Sequence, residues 1–130
     1  MTVLHYSLLF AALMHFFSKL PLAVAMAQEG GGYDNNNPRE QAARLTGWGK
    51  RAKAVHENQI ESFPLFAAGV LMALSTPACE RLEMLALAYC AARLLYMALY
   101  LQNLATVRSL VWFVGFASSV ALIASPLWNH

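Results

Sequence analysis

The segment RAKAVHENQIESFP, residues 51–64, decides how this chain folds because it joins a charged stretch to an apolar one, residues 65–74. On a helix, positions seven and then three apart return to one face, so Arg51, Asn58 and Glu61 share a stripe. A charge inside a bilayer costs about 2.5–3.5 kcal/mol unless it finds a partner. Pro64 lacks a backbone donor and favours a kink beside Glu61. The segment is either a charge cluster that only orients the protein or a built polar site, and its mixed signs favour the site.

The composition indicates a membrane protein. The chain is 58% hydrophobic and 12% charged, which is too little polar surface for a soluble domain of this size. Four apolar stretches approach the length of a membrane-spanning helix. They predict an all-α fold, an integral membrane four-helix bundle, with residues 1–130 as a single domain. The net charge of +2 is too small to indicate nucleic acid. Cys79 and Cys90 fit no metal spacing, so no metal site is expected.

The first apolar segment ends in Ala23-Val24-Ala25-Met26-Ala27, which resembles the cleavage site of a signal peptide. No Lys or Arg precedes the apolar run, however, whereas a signal peptide begins with positive charge. We therefore expect a retained first helix over roughly 3–27, with Pro21 kinking its last turns.

Turn residues place the other elements. Three glycines and three asparagines in residues 28–38 predict a water-exposed loop. Pro38 favours a helix start, so helix two begins there, is interrupted around 47–49 and enters the bilayer near Asn58. A short connection at 75–80 predicts that helices two and three are antiparallel neighbours. Helix three is expected over roughly 80–102 and helix four over 108–128, after a turn at 103–107.

Helix three carries polar tips at alternating steps of four and three, from Tyr89 through Arg93 to Asn103. A tyrosine stripe alone is more often packing, but Arg93 in mid-span needs a carboxylate or water. Arginines clamp carboxylates, and Glu61 can hold an ammonium group or lock Arg93. Two readings stay open, a pocket for a small zwitterionic or polyanionic ligand and a set of interhelical contacts without a ligand. The side chains concerned are Arg51, Asn58, Glu61, Arg93, Tyr96, Tyr100, Arg108 and Ser109.

The distribution of positive charge predicts the orientation in the membrane. Five Lys and Arg residues lie between positions 39 and 53, whereas neither terminal segment carries any. Because positively charged loops stay on the cytoplasmic side, the first loop is expected there. Both termini are then expected on the non-cytoplasmic side.

Several short motifs, taken together and in order, resemble the MAPEG family, the membrane-associated proteins of eicosanoid and glutathione metabolism. They cover nearly the whole chain, and residues 103–115 and the first loop are more similar to the small bacterial members. The matching pieces are Asn37-Pro38-Arg39, Leu45-Thr46-Gly47-Trp48, Arg51-Ala52, His56, Asn58, Glu61, Pro64, Arg93, Tyr96, Tyr100, Asn103 and Arg108-Ser109-Leu110-Val111-Trp112.

The resemblance implies a homotrimer in a bacterial inner membrane. Its expected partners are membrane lipids, and a larger membrane complex is the further alternative. The resemblance also implies glutathione as the cofactor, bound between subunits near the cytoplasmic face. Asn58 and Glu61 would hold its peptide and amino groups. Arg108 and Ser109 would face its thiol as candidate catalytic residues, since a nearby cation favours the thiolate. The pocket would also be lined by Arg93, Tyr96 and Tyr100, with Arg51 reaching in from an earlier turn.

One position departs from the family pattern. Glutathione-using members usually carry an Arg four residues before the Asn, and Ala54 stands there in this chain. The implied function is a glutathione-dependent transferase or peroxidase that acts on a lipophilic electrophile. The alternative is a non-catalytic lipid-binding or scaffold subunit of a membrane assembly, so whether the chain is an enzyme stays open. Glutathione-dependent turnover of a generic electrophile separates the two.

Overall fold

Helices are the only regular elements of the computed structural model, which describes residues 1–130 and confirms the all-α prediction. Three helical segments are long and apolar enough to cross a membrane: Thr2–Ala27, Glu80–Leu101 and Ala105–Ile123. The first of them joins two consecutive helices. In chain order the helices are α1 (Thr2–Phe17), α2 (Lys19–Ala27), α3 (Pro38–Ala43), α4 (Gly47–Leu74), α5 (Glu80–Leu101), α6 (Ala105–Ile123) and α7 (Ser125–Trp128).

The first predicted helix is divided at Ser18 between α1 and α2. Pro21 explains the position of the break, because its missing N–H leaves the carbonyl of Phe17 without its usual partner four residues later. Ser18 nevertheless keeps helical backbone angles, with φ of −68° and ψ of −20°. Its amide donates to the Met14 carbonyl at 2.8 Å. The break in the helix therefore lies one turn before Pro21, and the expected kink stays a prediction.

The loop between α2 and α3 is held by one buried side chain. The Gln41 amide donates to the carbonyls of Met26 at 3.2 Å and Gly32 at 2.9 Å, and it accepts from the Asp34 amide at 2.9 Å. The predicted interruption of helix two lies at residues 44–46, just before the expected position. Gly47 supplies the left-handed backbone there, with φ of +56°, at the start of α4.

Helix α4 is the central element, because it packs against α1, α2, α5 and α6. Its first half is charged, whereas residues 62–74 carry no charge. Its closest neighbour is α6, since a Cβ on Gly69 would lie 2.8 Å from Leu122 Cβ and 2.9 Å from the Ser119 carbonyl oxygen. A glycine is therefore required for the two helices to approach this closely.

Both termini lie at the same end of the molecule. The Met1 amino group lies 2.7 Å from Glu83 Oε1 near the start of α5. The Asn129 side chain donates to Thr76 Oγ1 at 3.0 Å and to the Pro77 carbonyl at 2.8 Å, in the α4–α5 connection. The loop after α2 and the α5–α6 turn, which closes on Asn103 with φ of 61°, lie at the other end. The positively charged residues 39–53 therefore lie at the end opposite the termini.

Candidate functional site

A pocket of about 220 Å³ opens between α4, α5 and α6. Both polar and large apolar side chains line it. Its polar lining consists of Asn58, Glu61, Ser62, Tyr89, Arg93 and Ser119. The remaining lining consists of Leu65, Trp112, Gly115 and Phe116.

Arg93 is the only charged side chain buried in the helix packing, at 3% exposed. Its Nε donates to Gln59 Oε1 at 2.9 Å, and Gln59 is itself 2% exposed. The guanidinium carbon lies 4.4 Å from the centroid of the Tyr96 ring, within the range of a cation–π contact. Both partners are neutral, and no carboxylate forms an ion pair with Arg93.

A pair of hydroxyl groups also lines the pocket. Ser62 Oγ and Tyr89 Oη lie 2.8 Å apart, with one of them donating to the other. The Tyr89 ring is stacked on Phe66 at a centroid distance of 3.8 Å. Because Tyr89 and Phe66 are both fully buried, the tyrosine is fixed by packing and offers only its polar tip to the pocket.

Glu61 and Asn58 lie at the pocket without the partners that the sequence suggested. Glu61 is exposed in the single chain and forms no ion pair, so the expected lock between Glu61 and Arg93 is not present. Gln59 and Glu61 point to different sides of α4, about 200° apart around the helix axis. The side that carries Gln59 contacts Arg93, so Gln59 and not Glu61 accepts its hydrogen bond. The buried Asn58 Oδ1 has no hydrogen-bond partner. Asn58 and Glu61 therefore each present an unused acceptor at the pocket.

The aromatic stripe of α5 connects Arg93 to the start of α6. Tyr96 and Tyr100 pack edge to face at 5.6 Å between ring centroids. The guanidinium carbon of Arg108 lies 4.1 Å from the centroid of the Tyr100 ring. Two cations thus bracket two tyrosines, and the ring of Tyr100 fixes where the Arg108 side chain lies.

The structure brings part of the predicted set together in one pocket, namely Asn58, Glu61 and Arg93. Tyr96, Tyr100 and Arg108 form the adjoining stack and do not line the pocket of a single chain. Arg51 and Ser109 stand apart from both groups. Arg51 is half-buried with an unpartnered Nε, and Ser109 is exposed with its hydroxyl donated to the Ala105 carbonyl at 3.1 Å.

Gln59 is the main contributor that the sequence analysis missed. It lies between Asn58 and Glu61 in sequence but faces the bundle interior, away from the stripe that carries its two neighbours. A signal was available, because an uncharged amide next to a long apolar segment needs a buried partner and Arg93 was the one mid-span donor. Trp112 and Phe116 were missed as pocket residues because an aromatic residue on an apolar helix usually faces lipid.

Comparison with known families decides the relationship. The model of the MAPEG family matches residues 3–128 of the chain. The chain belongs to the MAPEG family. No curated protein and no solved structure matches it.

Membership of the MAPEG family confirms the resemblance drawn from the short motifs. The family is one of membrane proteins, in agreement with the three helices that are long and apolar enough to cross a bilayer. This MAPEG chain is therefore an integral membrane protein, and its pocket lies between α4, α5 and α6.

Proposed function

We propose that this MAPEG chain is a glutathione-dependent transferase or peroxidase that acts on a lipophilic electrophile. One observation carries the proposal: the pocket holds a buried cation, Arg93, and a carboxylate, Glu61, that are not paired with each other. Glutathione carries carboxylates and an ammonium group, so its charges complement both. The alternative of purely structural contacts predicts that such opposite charges pair directly.

The residues around the pocket fit the peptide part of the ligand as well. Asn58 Oδ1 is a buried acceptor without a partner and can accept from a peptide N–H of the ligand. Arg93 is held through Nε by Gln59, which leaves its terminal nitrogens for a carboxylate. Glu61 would bind the ammonium group. Arg51, whose buried Nε also lacks a partner, lies seven residues before Asn58 on the same helical stripe.

Glutathione supplies a thiolate as the nucleophile in this chemistry. Arg108 would lower the free energy of the thiolate by its charge, and the ring of Tyr100 holds that guanidinium in position. Ser109 already donates its hydroxyl proton to the Ala105 carbonyl, so it would contribute an acceptor or turn away from Ala105. Leu65, Trp112 and Phe116 form an apolar wall that suits a lipophilic second substrate.

The assembly belongs to the same proposal. We place four membrane crossings in a single domain of residues 1–130: α1 with α2, α4, α5 and α6. The subunits would form a homotrimer in a bacterial inner membrane, which brings Arg108 and Arg51 of neighbouring chains towards one pocket. The charged residues 39–53 would lie in the cytoplasm and both termini on the opposite side.

A second candidate function, a lipid-binding or scaffold subunit of a larger membrane complex, is favoured by Ala54. At that position an Arg would add a cation to the site, and alanine cannot. In this case Arg93, Gln59 and Tyr96 serve as interhelical contacts, and the apolar wall of the pocket holds an acyl chain.

Purified protein with a generic aromatic electrophile and millimolar glutathione tests the proposal. We expect conjugation above the uncatalysed rate and a thiolate absorbance band on adding glutathione. Arg93→Met should abolish both, whereas Arg39→Gln, a change of one exposed charge far from the pocket, should leave both intact. Wild-type protein that gives neither turnover nor a thiolate band would reject the enzyme and favour the scaffold.

A further inference from the structure

Three hydroxyl groups line the pocket between α4, α5 and α6 next to the residues proposed to hold glutathione. They belong to Ser62, Tyr89 and Ser119. The charges of α4 end at Glu61, and α6 carries none after Arg108. A pocket that combines hydroxyl groups with uncharged side chains suits a ligand group that is polar but neutral. This part of the pocket therefore differs in chemistry from the part that contains Arg93.

The Ser119 hydroxyl has no partner in the chain. Among the serines of α6, Ser109 and Ser118 donate to carbonyls four residues earlier, whereas the Ser119 hydroxyl makes no hydrogen bond. Ser119 is nevertheless 2% exposed, as closely buried as Ser118 at 4%. A buried hydroxyl without a partner is unfavourable, and an acceptor atom of a ligand in the pocket would remove this cost.

The pair formed by Ser62 and Tyr89 offers a second donor. Its two oxygens lie 2.8 Å apart, and the bond between them uses one of the two hydroxyl protons, so the other is left for a ligand. A Cβ on Gly115 would lie 3.8 Å from Tyr89 Cδ2, so this residue of α6 lies beside the tyrosine. Ser119 follows Gly115 by four residues, which is about 6 Å along the helix. The pocket thus presents hydroxyl donors at two depths.

Two aromatic rings on α6 give the same part of the pocket a flat surface. The rings of Trp112 and Phe116 lie within 8° of parallel, with their centroids 5.2 Å apart, and both line the pocket. Ring faces aligned in this way favour stacking of a further planar ring. An apolar cavity of about 150 Å³ is enough for benzene. The volume of about 220 Å³ therefore leaves room for a larger ring.

We propose that this part of the pocket binds the ring of a lipophilic quinone. A quinone ring is planar and uncharged, and its carbonyl oxygens lie on opposite edges. One oxygen would accept from Ser119 and the other from the pair of Ser62 and Tyr89, while the ring stacks on Trp112 or Phe116. A flexible oxygenated acyl chain also carries acceptors, but it makes no use of parallel ring faces. The role of the quinone as the lipophilic electrophile rests on the proposed glutathione function, whereas its binding does not.

The reaction of a quinone with a thiol balances without a further reactant. A quinone with an unsubstituted ring carbon accepts the sulfur there, so a C–S bond forms and the electrons of the ring double bond move towards a carbonyl oxygen. The thiol proton and the proton lost from that ring carbon end on the two oxygens. The product is a hydroquinone thioether. Ser119 and Tyr89 would donate to the oxygens on which negative charge develops.

Equilibrium dialysis of the purified full chain in detergent against menadione, with empty micelles as the blank and no glutathione, tests the proposal. Menadione is a naphthoquinone with one unsubstituted ring carbon. We expect saturable binding, and much weaker binding of methylnaphthalene, which has the same rings and no oxygen.

Ser119→Ala should weaken menadione binding roughly fivefold, the usual contribution of one hydrogen bond, and should leave the melting temperature unchanged because the hydroxyl has no partner in the chain. Ser118→Ala is the matched control, since it removes a buried hydroxyl that is bonded within α6, and it should change binding less than twofold. Tyr89→Phe keeps the ring that stacks on Phe66 and should also weaken binding roughly fivefold.

Equal menadione affinities of the wild type, Ser119→Ala and Tyr89→Phe would overturn the quinone site, as would methylnaphthalene binding as tight as that of menadione. Binding of methyl hydroxystearate that depends on Ser119, without binding of menadione, would overturn it in favour of a flexible oxygenated lipid. Menadione binding that depends on Ser119 supports the site even if the chain conjugates no electrophile, a result that rejects the transferase alone. Conjugation of a generic electrophile without menadione binding keeps the transferase and overturns the quinone site.

Discussion

The hydrogen bond between Gln59 and Arg93 allows a test in which stability and ligand binding respond differently. Replacing Gln59 with Leu removes the Oε1 atom that accepts from Arg93 Nε at 2.9 Å, while keeping a side chain of similar size. Both residues are almost completely buried, so water cannot replace the lost acceptor. Replacing Gln59 with Glu keeps an acceptor there and adds a negative charge next to the guanidinium.

The magnitude for Gln59→Leu follows from two opposing terms. A hydrogen bond to a charged group contributes about 1.5–3 kcal/mol, and leaving the donor buried and unpaired costs this amount. Gln59 Nε2 has no hydrogen-bond partner, so its removal relieves part of that cost. A net loss of about 1–2 kcal/mol remains, which lowers the melting temperature of a chain of this size by roughly 4–10 °C.

Gln59→Glu should behave differently in the two assays. The new carboxylate compensates Arg93, so the melting temperature at neutral pH should stay at or above that of the wild type. The new carboxylate also weakens the attraction between Arg93 and a ligand carboxylate. Arg93 and a ligand carboxylate about 6 Å apart would attract each other by roughly 2–3 kcal/mol at an effective dielectric of 20, and the negative charge at position 59 opposes this attraction. Glutathione affinity should therefore fall at least tenfold.

The assays are thermal unfolding in detergent and equilibrium binding of glutathione, both on purified protein. If Gln59→Leu melts like the wild type, the Arg93 bond does not stabilise the fold and the geometry around Arg93 has been misread. If Gln59→Glu binds glutathione as the wild type does, Arg93 is not the contact for an anionic group.

Three further changes give direct outcomes. Gly69→Ala should destabilise the chain by about 1–3 kcal/mol in thermal unfolding, because the added Cβ would lie 2.8 Å from Leu122 Cβ. Gly115→Ala, where the nearest atom to the added Cβ is 3.6 Å away, should cost less than about 1 kcal/mol. Equal effects of the two substitutions would contradict the close approach of α4 and α6. Tyr100→Phe should keep the contact between the ring and Arg108 and retain glutathione turnover within about threefold of the wild type. Tyr100→Leu removes this cation–π contact and should lower turnover roughly tenfold. Equal losses in both variants would assign the role to the tyrosine hydroxyl. Reporter fusions at His130 should show a C-terminus outside the cytoplasm, and a cytoplasmic reporter signal would reverse the proposed orientation.

Helix positions were predictable from the sequence because they depend on local signals. Pro38, the glycines near α4 and the short connection after Leu74 place element ends within a few residues. The break at Ser18 was foreseeable in kind but not in position, since a proline affects the carbonyl four residues earlier. Such effects follow from the backbone alone and need no knowledge of neighbouring helices.

The partners of the polar side chains were less predictable than their positions. Helical spacing places Asn58 and Glu61 on one stripe of α4, and both line the pocket that Arg93 also lines, whereas Arg51 of the same stripe does not. It could not decide whether Arg93 would reach Glu61 or Gln59, since that depends on how α4 is rotated against α5. The rotation is set by packing such as the Phe66–Tyr89 stack, which involves residues far apart in sequence.

The separation of Arg93 from Glu61 matters for what the pocket can bind. Had the two formed an ion pair, a zwitterionic ligand would first have to break it. Instead, Gln59 and the Tyr96 ring hold the guanidinium by neutral contacts, and Glu61 is left free at the rim. These neutral contacts hold the guanidinium in place without cancelling its charge. An uncancelled charge is unfavourable inside a bilayer. An anionic ligand group would compensate the charge of Arg93. A glutamate at position 59 would already do so, which is why the neutral side chain of Gln59 keeps the site open to an anionic ligand.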